Sequence, residues 1–385
     1  MADEIRTASS QDIDESDLST AISETDTVIF TEMPYDAQAI LRGYEPSDTT
    51  DDAVHVLRET FRYLPADGRH NLAQDIVQAG AQGKLKQLAQ SIITGLLTPL
   101  KVAGDKTAEV TPSPRIGLED SLESLAAITD KSMTRAQQQQ LRDDALRRDG
   151  NKCVISGEYD INQEDKYPDE DTADLETAHI IPFAIAKFQN DAERQRMIAV
   201  WANMFRYFPS IRSRLNFYYG EINSLTNAMM LSNLIHKPFG RFSLTLEPTD
   251  TLNQYRLKTF RGCTRNLRHH LPKSGIVNLV CHDGRYPLPS PELLQLHCSV
   301  AHILNATGRG EKIDRILRDY GATGALARDG STNISELLSV SSLALLARVD
   351  ERGNSKSGRA MFSDTRKGPT LRTETDESKE NRPEC

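Results

Sequence analysis

Glu176-Thr-Ala-His179-Ile-Ile-Pro-Phe183, followed later in the chain by Asn227-Ala-Met-Met-Leu-Ser-Asn-Leu-Ile-His236, are the two runs that decide how this sequence is read. The first is a short β-prone stretch carrying His179, and Pro182 ends it because proline cannot donate to a strand ladder. The second opens as a strand at Asn227 and turns into a helix around Ser232, with His236 on the helix. An imidazole and an amide at two strand positions, and a second imidazole on the next helix, are groups that can move a proton or hold a cation near neutral pH.

Working outward, Lys152-Cys-Val-Ile-Ser156 reads as a β-prone run closing at Gly157, with an acidic loop over 158–176 behind it. Ala184 to Phe208 reads as helix, with Trp201, Met204 and Phe205 on its apolar face. Two further strands, 241–248 and 254–260, are separated by a turn containing Thr249 and Asp250. Upstream, apolar residues between Asp36 and Lys101 recur at three and four, which predicts two or three helices. Helices are also expected over Leu118–Ala127 and Arg135–Arg148, with Gly150 as the stop. Ser290 and Pro291 read as N-cap and first turn of a helix running to about residue 320. The expected organisation is an acidic disordered N-terminus (1–35), a helical region (36–102), a linker (103–115), the motif domain (116–262), a helical extension (263–330) and a mostly disordered tail (331–385), with a possible short helix.

Charge is unevenly distributed. The chain of 385 residues carries a formal net charge of −9. Residues 1–60 hold 15 Asp or Glu against three Arg, whereas residues 180–270 hold 13 Lys or Arg against five Asp or Glu. Phosphate binding depends on such local surpluses, so DNA is the expected partner of the 180–270 region. No apolar run is long enough to span a bilayer, and no membrane partner is expected. The acidic start lacks the features of a secretory signal, and the five cysteines are odd in number and scattered. Those features predict an intracellular protein, nuclear or cytoplasmic.

His179, Asn227 and His236, with Cys-Val-Ile-Ser-Gly ahead of them and the His236-Lys-Pro-Phe-Gly-Arg-Phe-Ser-Leu-Thr-Leu-Glu247 run behind, resemble the HNH nuclease family, and its fungal-type branch most closely. The resemblance covers roughly residues 140–262. It implies an α+β protein in which a small ββα-metal core is embedded among helices. It further implies a metal-dependent endonuclease hydrolysing phosphodiester bonds in DNA, with His179 as general base, Asn227 holding the base in place and His236 as metal ligand. The implied cofactor is a divalent cation, Mg²⁺ by preference and weakly bound. Many relatives place an Asp or His immediately before the base and another ligand four residues after the final His; here those positions are Ala178 and Gly240. A catalytically inactive HNH-fold module that binds nucleic acid or protein is the alternative. Relatives with structural zinc carry two Cys-x-x-Cys pairs; the matching positions here are Cys153 and Ser156, then Ser232 and Ile235. No structural zinc is expected, with Cys153, Val154, Leu231 and Ile235 packing as apolar groups instead. If a further metal ligand exists, Glu176 and Glu247 are the first acids to consider.

Overall fold

Apolar spacing between Met33 and Val102 folds that stretch into a helical layer. The computed structural model of the chain describes residues 32–102, 114–115, 135–186, 188 and 190–323, all within one unit spanning 1–345. The expected helix Leu118–Ala127, most of the 103–115 linker and the polar ends before 32 and after 323 lie outside the described residues. The helical layer comprises α1 (Tyr35–Arg42), α2 (Ala53–Tyr63), α3 (Ala66–Ala81) and α4 (Leu85–Ile92). α4 continues through a π-helical turn at Ile93–Leu97 into Thr98–Lys101. This final stretch is buried on every side, as expected of a helix whose apolar residues do not confine themselves to one stripe.

The motif region begins at α5 (Arg135–Arg148). Gly150 ends it as the sequence predicts: φ is +67°, Gly150 N–H reaches Arg147 C=O and Asn151 N–H reaches Leu146 C=O. Those two bonds are the Schellman pattern, which requires a left-handed residue. A Cβ at Gly150 would also meet the His282 ring at 2.8 Å. The Lys152–Ser156 run is not a strand. Gly157 N–H closes on Cys153 C=O and Cys153 N–H on Glu158 C=O. A run flanked by positive φ at Asn151 and Gly157 bends into a turn despite its β-prone side chains.

A parallel pair, β1 (Tyr159–Asp160) and β2 (Thr172–Ala173), brackets the acidic loop. β3 (Leu175–His179) pairs antiparallel with β4 (Ala228–Ser232), Leu175 opposite Ser232 and His179 opposite Ala228. Between them lies α6 (Asp191–Tyr207), which starts later than Ala184 because the Asn190 side chain caps it through Glu193 N–H. A single 3₁₀ turn at Phe183–Ala186 occupies the stretch ahead of it. β4 runs directly into α7 (Asn233–Gly240), and α7 packs on both β3 and β4 while α5 packs on the same hairpin. A second antiparallel sheet follows, β5 (Leu244–Pro248), β6 (Gln254–Thr259) and β7 (Ile276–Asn278), in that order. α8 (Pro291–Ala306) lies against β5 and α2, and α9 (Arg309–Thr323) against α8. Helices with three small sheets give the described residues an α+β composition.

One hydrophobic cluster runs from Met33 to Ile313 and includes Met229, Met230 and Leu231 of β4 as well as Leu96 and Leu97 of α4. The helical layer and the motif hairpin are therefore packed through a shared core.

Candidate active site

β3 alternates as a strand must, so Glu176 and Ala178 share the face turned towards α7. At that face the Glu176 carboxylate contacts Nδ1 of His236. Both side chains are partly open to solvent, 53% for Glu176 and 35% for His236, whereas Ala178 is fully buried.

His179 is the last residue of β3 and points the other way, into the loop that precedes β4. Its Nε2 lies 2.6 Å from Oδ1 of Asn223, and its ring stacks with Phe183 at a centroid distance of 5.8 Å.

Asn227 is fully buried and works on the backbone. Its Oδ1 accepts from Ile181 N–H at 2.8 Å, and its Nδ2 donates to Ile181 C=O at 3.1 Å and Ile222 C=O at 2.7 Å. Its own C=O accepts from Ile180 N–H at 2.9 Å. The side-chain amide thus ties Ile181 to Ile222, the residue before Asn223, while the Asn227 backbone holds Ile180. No smaller or apolar side chain could satisfy three buried backbone groups at once.

Behind β4 stands a fully buried ion pair between neighbours. Arg148 Nε and Nη2 reach the Asp149 carboxylate at 2.6 and 2.9 Å. The same guanidinium donates to the C=O groups of Leu225 and Ala228 at 2.7 and 2.8 Å, on either side of Asn227. Asp149 in turn accepts the Met230 N–H at 2.9 Å. The Cys153 thiol is buried and accepts the Ser156 N–H at 3.3 Å, while Val154 N–H binds Met230 C=O.

The far end of α7 is held from two other parts of the chain. His297 of α8 is sandwiched between Phe239 and Phe242, with ring centroids 3.9 and 4.5 Å away. Its Nε2 lies 3.0 Å from the Phe239 C=O, an acceptor only, so this nitrogen carries the hydrogen and Nδ1 accepts from the Thr245 hydroxyl at 2.9 Å. Complete burial pushes the His297 pKa down to about 3. Lys101, at the end of α4, donates to Arg241 C=O at 2.5 Å and to the Asp314 carboxylate at 3.0 Å. Burial lowers its pKa, against the opposing pull of Asp314. A cation is favoured there because the C-terminal carbonyls of a helix carry partial negative charge.

Residues 153–247 match a family model described as HNH endonuclease. The match covers about a quarter of the chain and speaks for this segment alone. No curated protein and no solved structure matches the chain.

Of the residues expected from the sequence, Asn227 meets the backbone that follows His179, and His236 meets Glu176, three residues before His179 on the same strand. Glu247 is elsewhere, paired with His302 at 2.9 Å. Asn223, Arg148, Lys101 and His297 were not anticipated. Only Asn223 left a trace, as a second polar amide in the Glu221–Asn227 run. No helix among the described residues is long and apolar enough to cross a membrane.

The family implies a divalent cation. Among the described residues there is no group of three or more His, Cys, Asp or Glu suited to a metal ion. The Glu176 carboxylate and the His236 imidazole meet at a solvent-open position, and they are the residues that would hold such a cation, with water completing its shell.

Proposed function

We propose that this protein is a metal-dependent HNH endonuclease acting on DNA, with His179 as general base and Glu176 and His236 as the cation's protein ligands. The observation that carries the reading is the contact of His236 with Glu176, on the strand that ends at His179, whose following backbone Asn227 holds. When bound, a divalent cation would polarise the scissile phosphate and stabilise the leaving oxygen. His179 takes a proton from water as the water oxygen forms the new bond to phosphorus. The bridging oxygen leaves with the electron pair of the broken P–O bond and is protonated by solvent. Asn227 keeps the His179 backbone in place, because its amide pins Ile181 and Ile222 together.

Basic side chains around this hairpin support a nucleic-acid partner. Arg212 and Arg214 before Asn223, and Lys237 and Arg241 on and after α7, are exposed. Arg206 is drawn away, into an ion pair with the buried Asp75 at 2.7 Å. Phosphate contacts of this kind give affinity and orientation.

The test is cleavage of plasmid DNA with Mg²⁺, Mn²⁺ or Ni²⁺. His179→Ala should abolish turnover, since a general base contributes about 10²- to 10⁴-fold, while DNA affinity stays nearly intact. Cleavage by that variant at the parental rate would remove His179 from the mechanism. A second reading, an inactive HNH module that only binds, is favoured by Ala178 and Gly240, where many relatives carry ligands. Metal-independent DNA binding with no cleavage in any of the three ions would select it.

A further inference from the structure

We propose that Asn223 is the positioning residue of the His179 imidazole. Its amide oxygen accepts the Nε2–H, holds the ring as the Nε2–H tautomer, and assigns proton abstraction to Nδ1. The role in cleavage rests on the nuclease reading; the tautomer does not.

An amide oxygen can only accept, so a ring nitrogen 2.6 Å from Oδ1 is a donor, and a neutral imidazole has a single N–H. The basic lone pair then belongs to the other nitrogen. Fixing which nitrogen holds the hydrogen is how proteins prepare a histidine for one task.

Asn223 is also held in a way that a loose surface residue is not. It lies half-buried between Ile222, whose C=O is bound by Asn227 Nδ2, and Ser224, whose N–H reaches Glu221 C=O at 2.8 Å. Asn227 grips the Ile181 amide with the same side chain. His179 and Asn223 therefore sit on two backbone stretches clasped by one buried amide, and their separation is set by Asn227 rather than by either side chain. Phe183, stacked on the His179 ring, restricts its rotation. After proton transfer from water to Nδ1, the ring is an imidazolium whose Nε2–H remains on Asn223 Oδ1, so the charge forms against an oriented carbonyl dipole.

A merely structural asparagine would tether the loop without fixing the tautomer, and the test separates the two. The full chain is labelled with ¹⁵N at its nine histidines, and the His179 signals are assigned by their loss in His179→Gln. In the parent, the ¹⁵N shifts of His179 should be those of a fixed Nε2–H tautomer. Asn223→Ala should move them towards the values of two exchanging tautomers. Asn223→Asp, which keeps an acceptor oxygen at the same atom, should retain the Nε2–H pattern. In DNA cleavage, Asn223→Ala should lower kcat by about tenfold or more, a share of what the base itself contributes, with KM little changed. An Nδ1–H pattern in the parent, or shifts unaltered by Asn223→Ala, would overturn the proposal whatever the cleavage result. A fixed Nε2–H tautomer that Asn223→Ala releases, in a protein that cleaves nothing with any metal, would uphold Asn223 and dismiss the nuclease reading instead.

Discussion

Asn227 and His179 differ in what their loss should do, although the sequence presents them as members of one motif. Asn227 satisfies buried backbone groups, so Asn227→Ala leaves two C=O groups and one N–H unpaired. That should cost at least about 2 kcal/mol of stability, together with activity. Asn227→Asp should be hardly better, because a carboxylate has no hydrogen to offer Ile181 and Ile222. His179→Ala, at a half-buried position, should remove activity and leave the urea midpoint nearly unchanged. Equal midpoints for all three variants would refute the clamp assigned to Asn227. Gly240 offers the complementary experiment: its φ is not in the left-handed region, and a Cβ there meets nothing within 4 Å. Gly240→Asp thus has room for a carboxylate one helical turn after His236. Calorimetric titration of the free parent with Mg²⁺ should find no site tighter than millimolar, and Gly240→Asp should tighten it. The matching change at Ala178 would bury a charge in a fully covered position and should unfold the hairpin instead.

At the level of elements, what was legible in the sequence followed from periodicity and punctuation. The strand–helix switch at Ser232, the stop at Gly150 and the start at Ser290 each rest on local chemistry, and Ser290 Oγ does accept from Glu292 and Leu293 N–H. The 254–260 strand likewise falls close to β6 (Gln254–Thr259). Lys152–Ser156 misled because propensity describes side chains, while positive φ at its flanks set the turn. The contact of Glu176 with His236 was open to suspicion from strand alternation. The Arg148–Asp149 pair was not, since adjacent opposite charges at a helix end ordinarily mark a solvated terminus. Here they are desolvated because the guanidinium also serves three carbonyls, those of Leu225, Ala228 and Pro287. Arg148→Met should therefore cost roughly 3–5 kcal/mol, the usual penalty for stranding one member of a buried pair. The double variant Arg148→Met with Asp149→Leu should regain part of that. A double variant as unstable as the sum of its singles would mean that the pair's mutual charge matters little beside the backbone bonds.

Across the whole molecule, acid should act through His297. Its ordinary pKa is near 6.5 and its folded value is pushed down to about 3 by burial, so the unfolded chain binds the extra proton first. The stability it protects is complete above 6.5 and is lost as pH falls towards 3, at about 1.4 kcal/mol per pH unit within that window. Thermal midpoints measured from pH 7 to 4 should drop more steeply for the parent than for His297→Gln. Parallel curves would show that His297 is not the group responsible. Lys101→Met should weaken the same helix from the other side by about 1–3 kcal/mol, by leaving the Arg241 carbonyl without the donor that the buried Lys101 supplies.

The two-sided capping of α7 has a consequence for how the molecule comes into being. Chains are made from the N-terminus at about 5–20 residues per second, and the helix bearing His236 leaves the ribosome well before the residues that finish its end. Lys101 is already present, but His297 follows the helix by more than 50 positions, and Asp314, which holds Lys101 in place, comes later still. An incomplete chain ending after the family segment would hold every motif residue, but with His236 on a helix whose last carbonyls are frayed. Ribosome-bound chains carrying residues 1–250 followed by enough linker to clear the exit tunnel should accordingly be protease-sensitive through 233–240, and chains extended past 314 with the same linker should be protected. The cell would then meet this chemistry only in finished copies.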